Sequence, residues 1–330
     1  MTRPWVSAFA LVSAVALAGC AAPYDGDGEV AMVPVAQRCG SICAPGAPIP
    51  PATPVVVDTD LGGDDLVALA FLLRHPEVRV EAVTIAATGL VGCDPGVDLV
   101  ADLFTALDEE PVPVACGRAE PGPGALELPQ EWRDLAATGT GIPRSAGTLT
   151  ADAEPAPDLI GRLARRVDGL QVVELGPMTN LADLATGAPR AYARLAGIHA
   201  MGGSVDGPLV DGVAEWNVAA DPEAFATVLA ADVPLTVVPE DAIPEGAPEA
   251  LSAPVVRDVP ARIDYPKWWD LAAAATRVAG RGVQVESGTW AIDRAEPGRL
   301  RREGEGPVRV VRSLDEASLE AEYARAFGQG

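Results

Sequence analysis

In Val55-Val56-Val57-Asp58-Thr59-Asp60-Leu61-Gly62-Gly63-Asp64-Asp65 a run of three valines passes directly into four carboxylates within eight residues. The valines predict a short buried strand, because β-branched side chains suit a pleated, enclosed surface. Gly62 and Gly63 permit a tight turn, and the apolar run from Asp64 to Leu73 predicts a helix. Asp64 is placed to cap that helix, a role that leaves the other three acids unexplained. Crowded carboxylates raise one another's pKa unless a cation neutralises them. An all-oxygen set with no His or Cys beside it suits Ca²⁺ or Mg²⁺. The bland alternative is an acidic turn of purely structural use.

Outward from this segment, strands and helices alternate. Val78 to Ala86, Leu170 to Leu175, Ile198 to Met201 and Leu235 to Val238 read as core strands. Gly96 to Leu107 and Asp221 to Leu229 read as helices. Val308 to Ser313 and Leu314 to Phe327 close the chain as a strand and a helix. Glu120 to Pro155, rich in Gly, Pro and Ala, reads as a long surface excursion. The pattern predicts an α/β fold, an open mostly parallel sheet with helices on both faces. Ligands of such sheets bind at the carboxyl ends of the strands, which is where the carboxylates fall.

Composition narrows the partners. The 330 residues carry 47 acidic against 24 basic side chains, a formal net charge of −23. Such a surface argues against a nucleic-acid polymer as partner. Lys267 is the chain's only lysine, and there are two histidines and five cysteines. Little is left for a structural zinc site.

The N-terminus predicts export. Arg3 precedes an apolar stretch from Trp5 to Ala18, the length of a signal-peptide core and short for a membrane span. It ends in Leu17-Ala18-Gly19-Cys20, which resembles the lipobox of bacterial lipoproteins. Residues 1–19 are thus expected to be a lipoprotein signal peptide and Cys20 a lipidated N-terminus, anchored in the cell membrane and facing outward. An ordinary secretory signal with an incidental cysteine is the alternative. Residues 20–53 read as a Pro/Ala-rich tether, extended and semi-rigid, and 54–330 as the catalytic domain. Outside the cytoplasm Cys39 can pair with Cys43, and Cys93 with Cys116; free buried thiols remain the alternative for the second pair, and spacing does not fix connectivity.

Asp58-Thr59-Asp60-x-Gly62-x-Asp64-Asp65 resembles the N-terminal signature of the nucleoside hydrolase family. Leu175-Gly176-Pro177-Met178-Thr179-Asn180 is similar to its central strand-to-helix turn. Met201-Gly202-Gly203, Glu215-Trp216-Asn217 and Asp221-Pro222-Glu223-Ala224 look like its sugar-binding segment, and Trp269-Asp270-Leu271 like its last metal motif. The four pieces stand in the family's order across roughly residues 54–327.

The resemblance implies a Ca²⁺-dependent hydrolysis of the N-glycosidic bond of ribonucleosides. Asp60 would ligate Ca²⁺ and act as general base on the attacking water. Asp65, the backbone carbonyl of Leu175 and Asp270 would complete the protein ligands, with Asp58 orienting them. Asp64, Glu215 and Asn217 would hold ribose hydroxyls. Trp269 stands where many members carry the histidine that protonates the leaving base. In that place it resembles the purine-preferring branch, where stacking would favour a protonated purine; a packed core aromatic is the plain alternative. Trp132 and Trp216 are further stacking candidates. The resemblance leaves the oligomeric state open, a homo-oligomer among the options.

Three departures are expected to matter unequally. Leu61 replaces a proline and should cost only turn rigidity. Sugar-site asparagines are missing from Ala86-Ala87-Thr88-Gly89-Leu90 and at Leu209, which opens the site to a glycone other than ribose. His75, at the end of the first helix, is expected to be solvated, and His199 packed in a core strand. Two other functions compete: a non-catalytic or altered-substrate nucleoside- or sugar-binding lipoprotein, and a phosphatase using Asp58 as nucleophile. Gly62 and the single lysine argue against the phosphatase.

Overall fold

The structure, a computed structural model, describes residues 51–138, 141–145, 149–252 and 266–328. The signal peptide, Cys20, most of the tether, Cys39 and Cys43 lie outside the described residues. Along the chain run β1 (Thr53–Thr59), α1 (Gly63–Arg74), β2 (Val78–Ile85), α2 (Cys93–Leu107), β3 (Val114–Cys116), α3 (Gln130–Ala137) and α4 (Ala156–Arg166). Then come β4 (Gln171–Glu174), α5 (Thr179–Gly187), α6 (Pro189–Tyr192), β5 (Gly197–Met201), α7 (Trp216–Ala220), α8 (Pro222–Leu229) and β6 (Leu235–Val238). The last are α9 (Trp269–Thr276), β7 (Val283–Ile292), β8 (Leu300–Leu314) and α10 (Glu316–Phe327).

Among the described residues the strands form one eight-stranded sheet in the order β3-β2-β1-β4-β5-β6-β8-β7. Only the β7–β8 pair is antiparallel, so the expected α/β architecture holds. Successive side chains of a strand face opposite sides of the sheet, and β1 shows it. Val55 and Val57 pack with Leu66, Phe71 and Leu271 of α1 and α9, while Val56 packs with Leu159, Leu181 and Phe225 of α4, α5 and α8. All three valines are fully buried, as a strand covered on both faces requires. β1 lies between β2 and β4, where the strand order reverses direction. A crevice opens at the carboxyl ends of strands at such a point.

Several boundaries depart from the sequence reading. β8 begins at Leu300 rather than Val308 and forms a hairpin with β7. Exposed Arg and Glu side chains fill its first half, so no apolar run announces it. α2 starts at Cys93, three residues early, because Pro95 sits in the first turn, where its missing N–H costs nothing. The excursion from Glu120 to Pro155 contains α3. His75 is buried, not solvated: α10 covers the end of α1, and His75 Nε2 lies 3.0 Å from Glu322 Oε2. Burial pushes its imidazole pKa down. His199 is half-buried within β5, where burial, with Arg277 and Arg309 nearby, lowers it to about 4.

Cys93 and Cys116 are disulfide-bonded, with Cα atoms 5.6 Å apart. The bond ties the start of α2 to the end of β3, beside the sheet's carboxyl edge. Closing a loop of 23 residues' separation limits the unfolded chain by about 3 kcal/mol. The double variant Cys93→Ser/Cys116→Ser is expected to lose about that much stability in urea unfolding; no loss would mean that packing alone holds this edge.

Candidate active site

The site is built from the ends of β1, β2, β4, β5 and β6. Asp58, still inside β1, is in register with Thr84 of β2 and Glu174 of β4. It accepts hydrogen bonds from Thr84 Oγ1 and Asn180 Nδ2, both at 2.8 Å. Asp58 and Glu174 are fully buried. Burial raises Asp58 to about 6, and burial together with the Asp58 charge holds Glu174 well above the usual carboxylate range. Asp58 therefore braces the strands beneath the site. It does not line the cleft above, so a substrate cannot reach it as the phosphatase reading requires.

Beyond β1 the chain turns sharply. Asp65 holds that turn together: its Oδ1 accepts from Thr59 Oγ1 at 2.5 Å and Asp60 N at 3.3 Å, its Oδ2 from Gly62 N at 3.0 Å. The acid capping α1 is thus Asp65, reaching back to the Gly62 amide, and not Asp64. Asp64 is left to face Asp65 and Asp270, and the three bring carboxylate oxygens within 4.8 Å of one another. Asp270, in the first turn of α9, also donates its backbone N–H to Asp64 Oδ2 at 3.4 Å. Its Oδ1 is buried with no hydrogen-bond partner, an acceptor that a cation would satisfy.

Asp60 adjoins this trio. Its Oδ2 accepts the Leu90 N–H at 3.0 Å. Two glycines make room for it: a Cβ at Gly89 would lie 2.2 Å from Asp60 Oδ2, and one at Gly176 would lie 3.0 Å from its Cβ. Burial first, then the Asp65 charge, lifts Asp60 well above the ordinary range and Asp64 to about 7. Burial likewise raises Asp65 and Asp270, with Asp65 the next cause for Asp270.

These acids form the floor of a cleft of about 600 Å³ whose walls are largely apolar. Leu128 and, from α3, Trp132, Leu135 and Ala136 stand on one side, with Trp216, Val210 and Met201 near the β5 end and Trp269 beside Asp270. Trp132 meets Trp216 edge-on, centroids 5.4 Å apart. The stretch read as a surface excursion thus supplies a wall of the site. Glu215 caps α7 and accepts the N–H groups of Gly203, Asn217 and Val218 at 2.6–3.0 Å. Asn217 Nδ2 donates to the Leu175 carbonyl at 2.8 Å. The expected site residues therefore all converge on one cleft, with Leu175 O and Asn217 bonded to each other.

Sequence reasoning missed Glu174, the space made by Gly89 and Gly176, and Glu240, which also lines the cleft. The two glycines left a faint signal in their positions just after strands; the two glutamates left none.

Residues 55–314 match the family model described as inosine-uridine preferring nucleoside hydrolase. The chain belongs to this family. Its similarity to the pyrimidine-specific ribonucleoside hydrolase RihA of Salmonella schwarzengrund is 29% identity over 200 residues, 56% of this chain and 60% of that protein. The chain thus spans about three fifths of that relative's length. RihA of Salmonella paratyphi C matches at 28% over 222 residues, 63% of this chain and 67% of that protein. Among solved structures, the inosine-uridine preferring nucleoside hydrolase of Bacillus anthracis superposes with TM-score 0.71 at 22% identity, covering 84% of this chain and 100% of that one. The purine-preferring ribonucleoside hydrolase of Gardnerella vaginalis gives 0.68 at 19%, covering 84% and 98%. At such identities these structures speak for the fold.

Within the nucleoside hydrolase frame, Leu61 needs a correction. Its φ is +65°, which a proline ring, held near −65°, cannot adopt. The exchange changes the path of the turn rather than its rigidity alone.

A divalent cation entering the floor formed by Asp60, Asp64, Asp65 and Asp270 must displace protons, since only ionised carboxylates ligate. With Asp64 raised to about 7, affinity is expected to climb as pH rises from 5.5 to 8, with proton release in calorimetry that diminishes toward pH 8. Asp65→Ala and Asp270→Ala should abolish binding, and Leu175→Ala should retain it. Unaltered affinity in both aspartate variants would refute the site.

Proposed function

We propose that this cleft hydrolyses the N-glycosidic bond of ribonucleosides, with purine bases preferred and Ca²⁺ as the resident ion. The observation that carries the reading is the pairing of a buried carboxylate floor with an aromatic wall in one cleft of nucleoside size. The family match supports glycoside chemistry on nucleosides. Names among the relatives divide between pyrimidine-specific and purine-preferring enzymes. Purine is favoured on Trp132, Trp216 and Trp269, three indoles that offer broad faces to a bicyclic base.

The chemistry follows from charge. Breaking the C1′–N bond builds positive charge on the sugar ring, and carboxylates beside the anomeric carbon stabilise it in a site that excludes water. Asp60, held by the Leu90 amide, stands ready to take a proton from the attacking water as general base. Asp65, Asp270, Asp60 and the Leu175 carbonyl would hold Ca²⁺, which when bound fixes the sugar hydroxyls and acidifies water. Asp64, Glu215 and Asn217 would orient the sugar.

The chain is proposed to act outside the cytoplasm, attached to the cell membrane through a lipid on Cys20. The Cys93–Cys116 disulfide supports an oxidising compartment. Cys20→Ser is expected to release the protein from the membrane fraction; retention of that variant with no other anchor would refute the attachment.

A second reading, a nucleoside- or sugar-binding protein without turnover, is favoured by one observation. Glu215 and Asn217 spend their hydrogen bonds internally, and the stretch 86–90 and Leu209 lack the asparagines expected there. Kinetics decide between the two. With Ca²⁺, p-nitrophenyl riboside is expected to be cleaved readily, since nitrophenolate leaves without a proton, and inosine more slowly. Asp60→Ala should abolish both. Trp269→Ala should harm inosine far more than the nitrophenyl substrate; equal losses would make Trp269 a packing residue. Nucleoside binding without turnover of either would favour the second reading.

A further inference from the structure

A purine leaves as a neutral base only if it receives a proton, and neither histidine lines the cleft: His75 is under α10 and His199 within β5. The cleft's acids divide by what already engages them. Asp60, Asp64, Asp65 and Asp270 form the cation floor, and Glu215 is committed to three backbone amides. Glu240 is the sixth acid of the lining. It opens the 3₁₀ turn Glu240–Ala242 at the carboxyl end of β6.

Its backbone is fixed on both sides. Glu240 N donates to Gly203 O at 2.8 Å, and the Lys267 amine donates to Glu240 O at 3.0 Å. The lysine is thus spent on the main chain, and among the described residues no hydrogen bond engages the Glu240 carboxyl. β6 lies three strands from β1, roughly 14 Å at ordinary strand spacing. Glu240 therefore stands on the far side of a substrate whose anomeric carbon is beside Asp60. Pro266 and Trp269 line the cleft with it.

We propose that Glu240 is the general acid that protonates the departing base, a role resting on the nucleoside-hydrolysis reading above. As the C1′–N bond breaks, its electron pair goes to the base nitrogens and the Glu240 proton is delivered to the base. Water oxygen bonds to C1′ and its proton passes to Asp60. The cycle ends with Glu240 ionised and Asp60 protonated, and exchange with solvent restores both. The charged groups facing Glu240 are Lys267, Glu215, Asp241 and Arg299. Half-burial raises its pKa, Lys267 and Arg299 pull it down, and the two acids push it up, for a net rise. A raised pKa favours the protonated form that a donor needs.

The test compares inosine with p-nitrophenyl riboside on the full chain with Ca²⁺. Glu240→Gln is expected to cut inosine kcat by about 10²–10⁴-fold, the usual value of a general acid, with far less effect on the nitrophenyl substrate, whose turnover also reports an intact fold. The alkaline limb of the inosine kcat profile should vanish in Glu240→Gln and persist in Glu240→Asp. Equal kcat losses on both substrates, or a rise in KM on both with kcat kept, would overturn the proposal in favour of a packing or sugar-holding role. So would inosine kinetics matching the wild type. If wild-type protein binds Ca²⁺ but cleaves neither substrate, the hydrolysis reading itself falls and this role with it; nitrophenyl cleavage without inosine cleavage removes the acid alone.

Discussion

Asp58, Asp60, Asp64, Asp65, Asp270 and Glu174 are all buried at the carboxyl edge of one sheet. Two like charges 4 Å apart repel by about 4 kcal/mol even at an effective dielectric constant of 20. Among the described residues no basic side chain is a leading influence on the four acids of the floor. The fold meets that repulsion by two routes. Below, Asp58 and Glu174 lie side by side: Thr84 and Asn180 donate to Asp58, while burial and the Asp58 charge favour the neutral form of Glu174. Above, Asp65 is wrapped by a hydroxyl and two amides, while Asp270 keeps an oxygen without a donor. The lower pair is tied to neighbouring elements through Asp58; the upper set is neutralised only when protons or a cation arrive. The same sequence segment thus supplies both a brace, Asp58, and the first acid of the floor, Asp60, with only Thr59 between them.

What was legible in the sequence follows from how directly each residue's environment is written locally. Val55 to Val57 and the helix after Gly63 carry their own burial in their composition: α1 came out within one residue at each end, while β1 extends two residues beyond the valines on either side. The acids Asp60, Asp64, Asp65, Glu215 and Asp270 were found because they sit in short motifs that resemble the family's. Roles were less legible than positions. Whether Asp64 or Asp65 caps α1 depends on which carboxylate turns back toward Gly62, and only the fold decides that. The β7–β8 hairpin escaped because a strand exposed on both faces has no apolar period. His75 escaped because its cover, α10, is 247 residues away in the chain.

The aromatic wall shows the limit most plainly. α3 is a short polar helix with only Ala136 fully buried, inside a Gly/Pro-rich stretch, and its sequence reads as surface. Its apolar side chains, Trp132 and Leu135, are exposed because they face the cleft rather than the core. Exposed large apolar residues on one wall of a cavity are what a binding site requires. The substrate-facing half of this site is therefore the half that binary patterning assigns to solvent.

Leu61 couples the packed core to the ligand-bearing turn. A non-glycine residue in the left-handed region costs of order 1–3 kcal/mol, and such a cost persists only where the surroundings enforce it. The side chain of Leu61 is fully buried, close enough to Gly96 that a Cβ there would meet its Cδ1 at 2.8 Å. Burying a leucine is worth about 1.5–3 kcal/mol, so the strain is offset by packing against the helix that begins at the disulfide. The Leu61 N–H is in turn held by Thr59 Oγ1 at 3.1 Å, the same hydroxyl that donates to Asp65. Release of Leu61 from its pocket would free the turn to relax, and with it the angle at which Asp60 and Asp65 meet. The core contact and the ligand geometry are thus one coupled arrangement, which is why a residue that touches no substrate has a say in how the floor of the cleft is shaped.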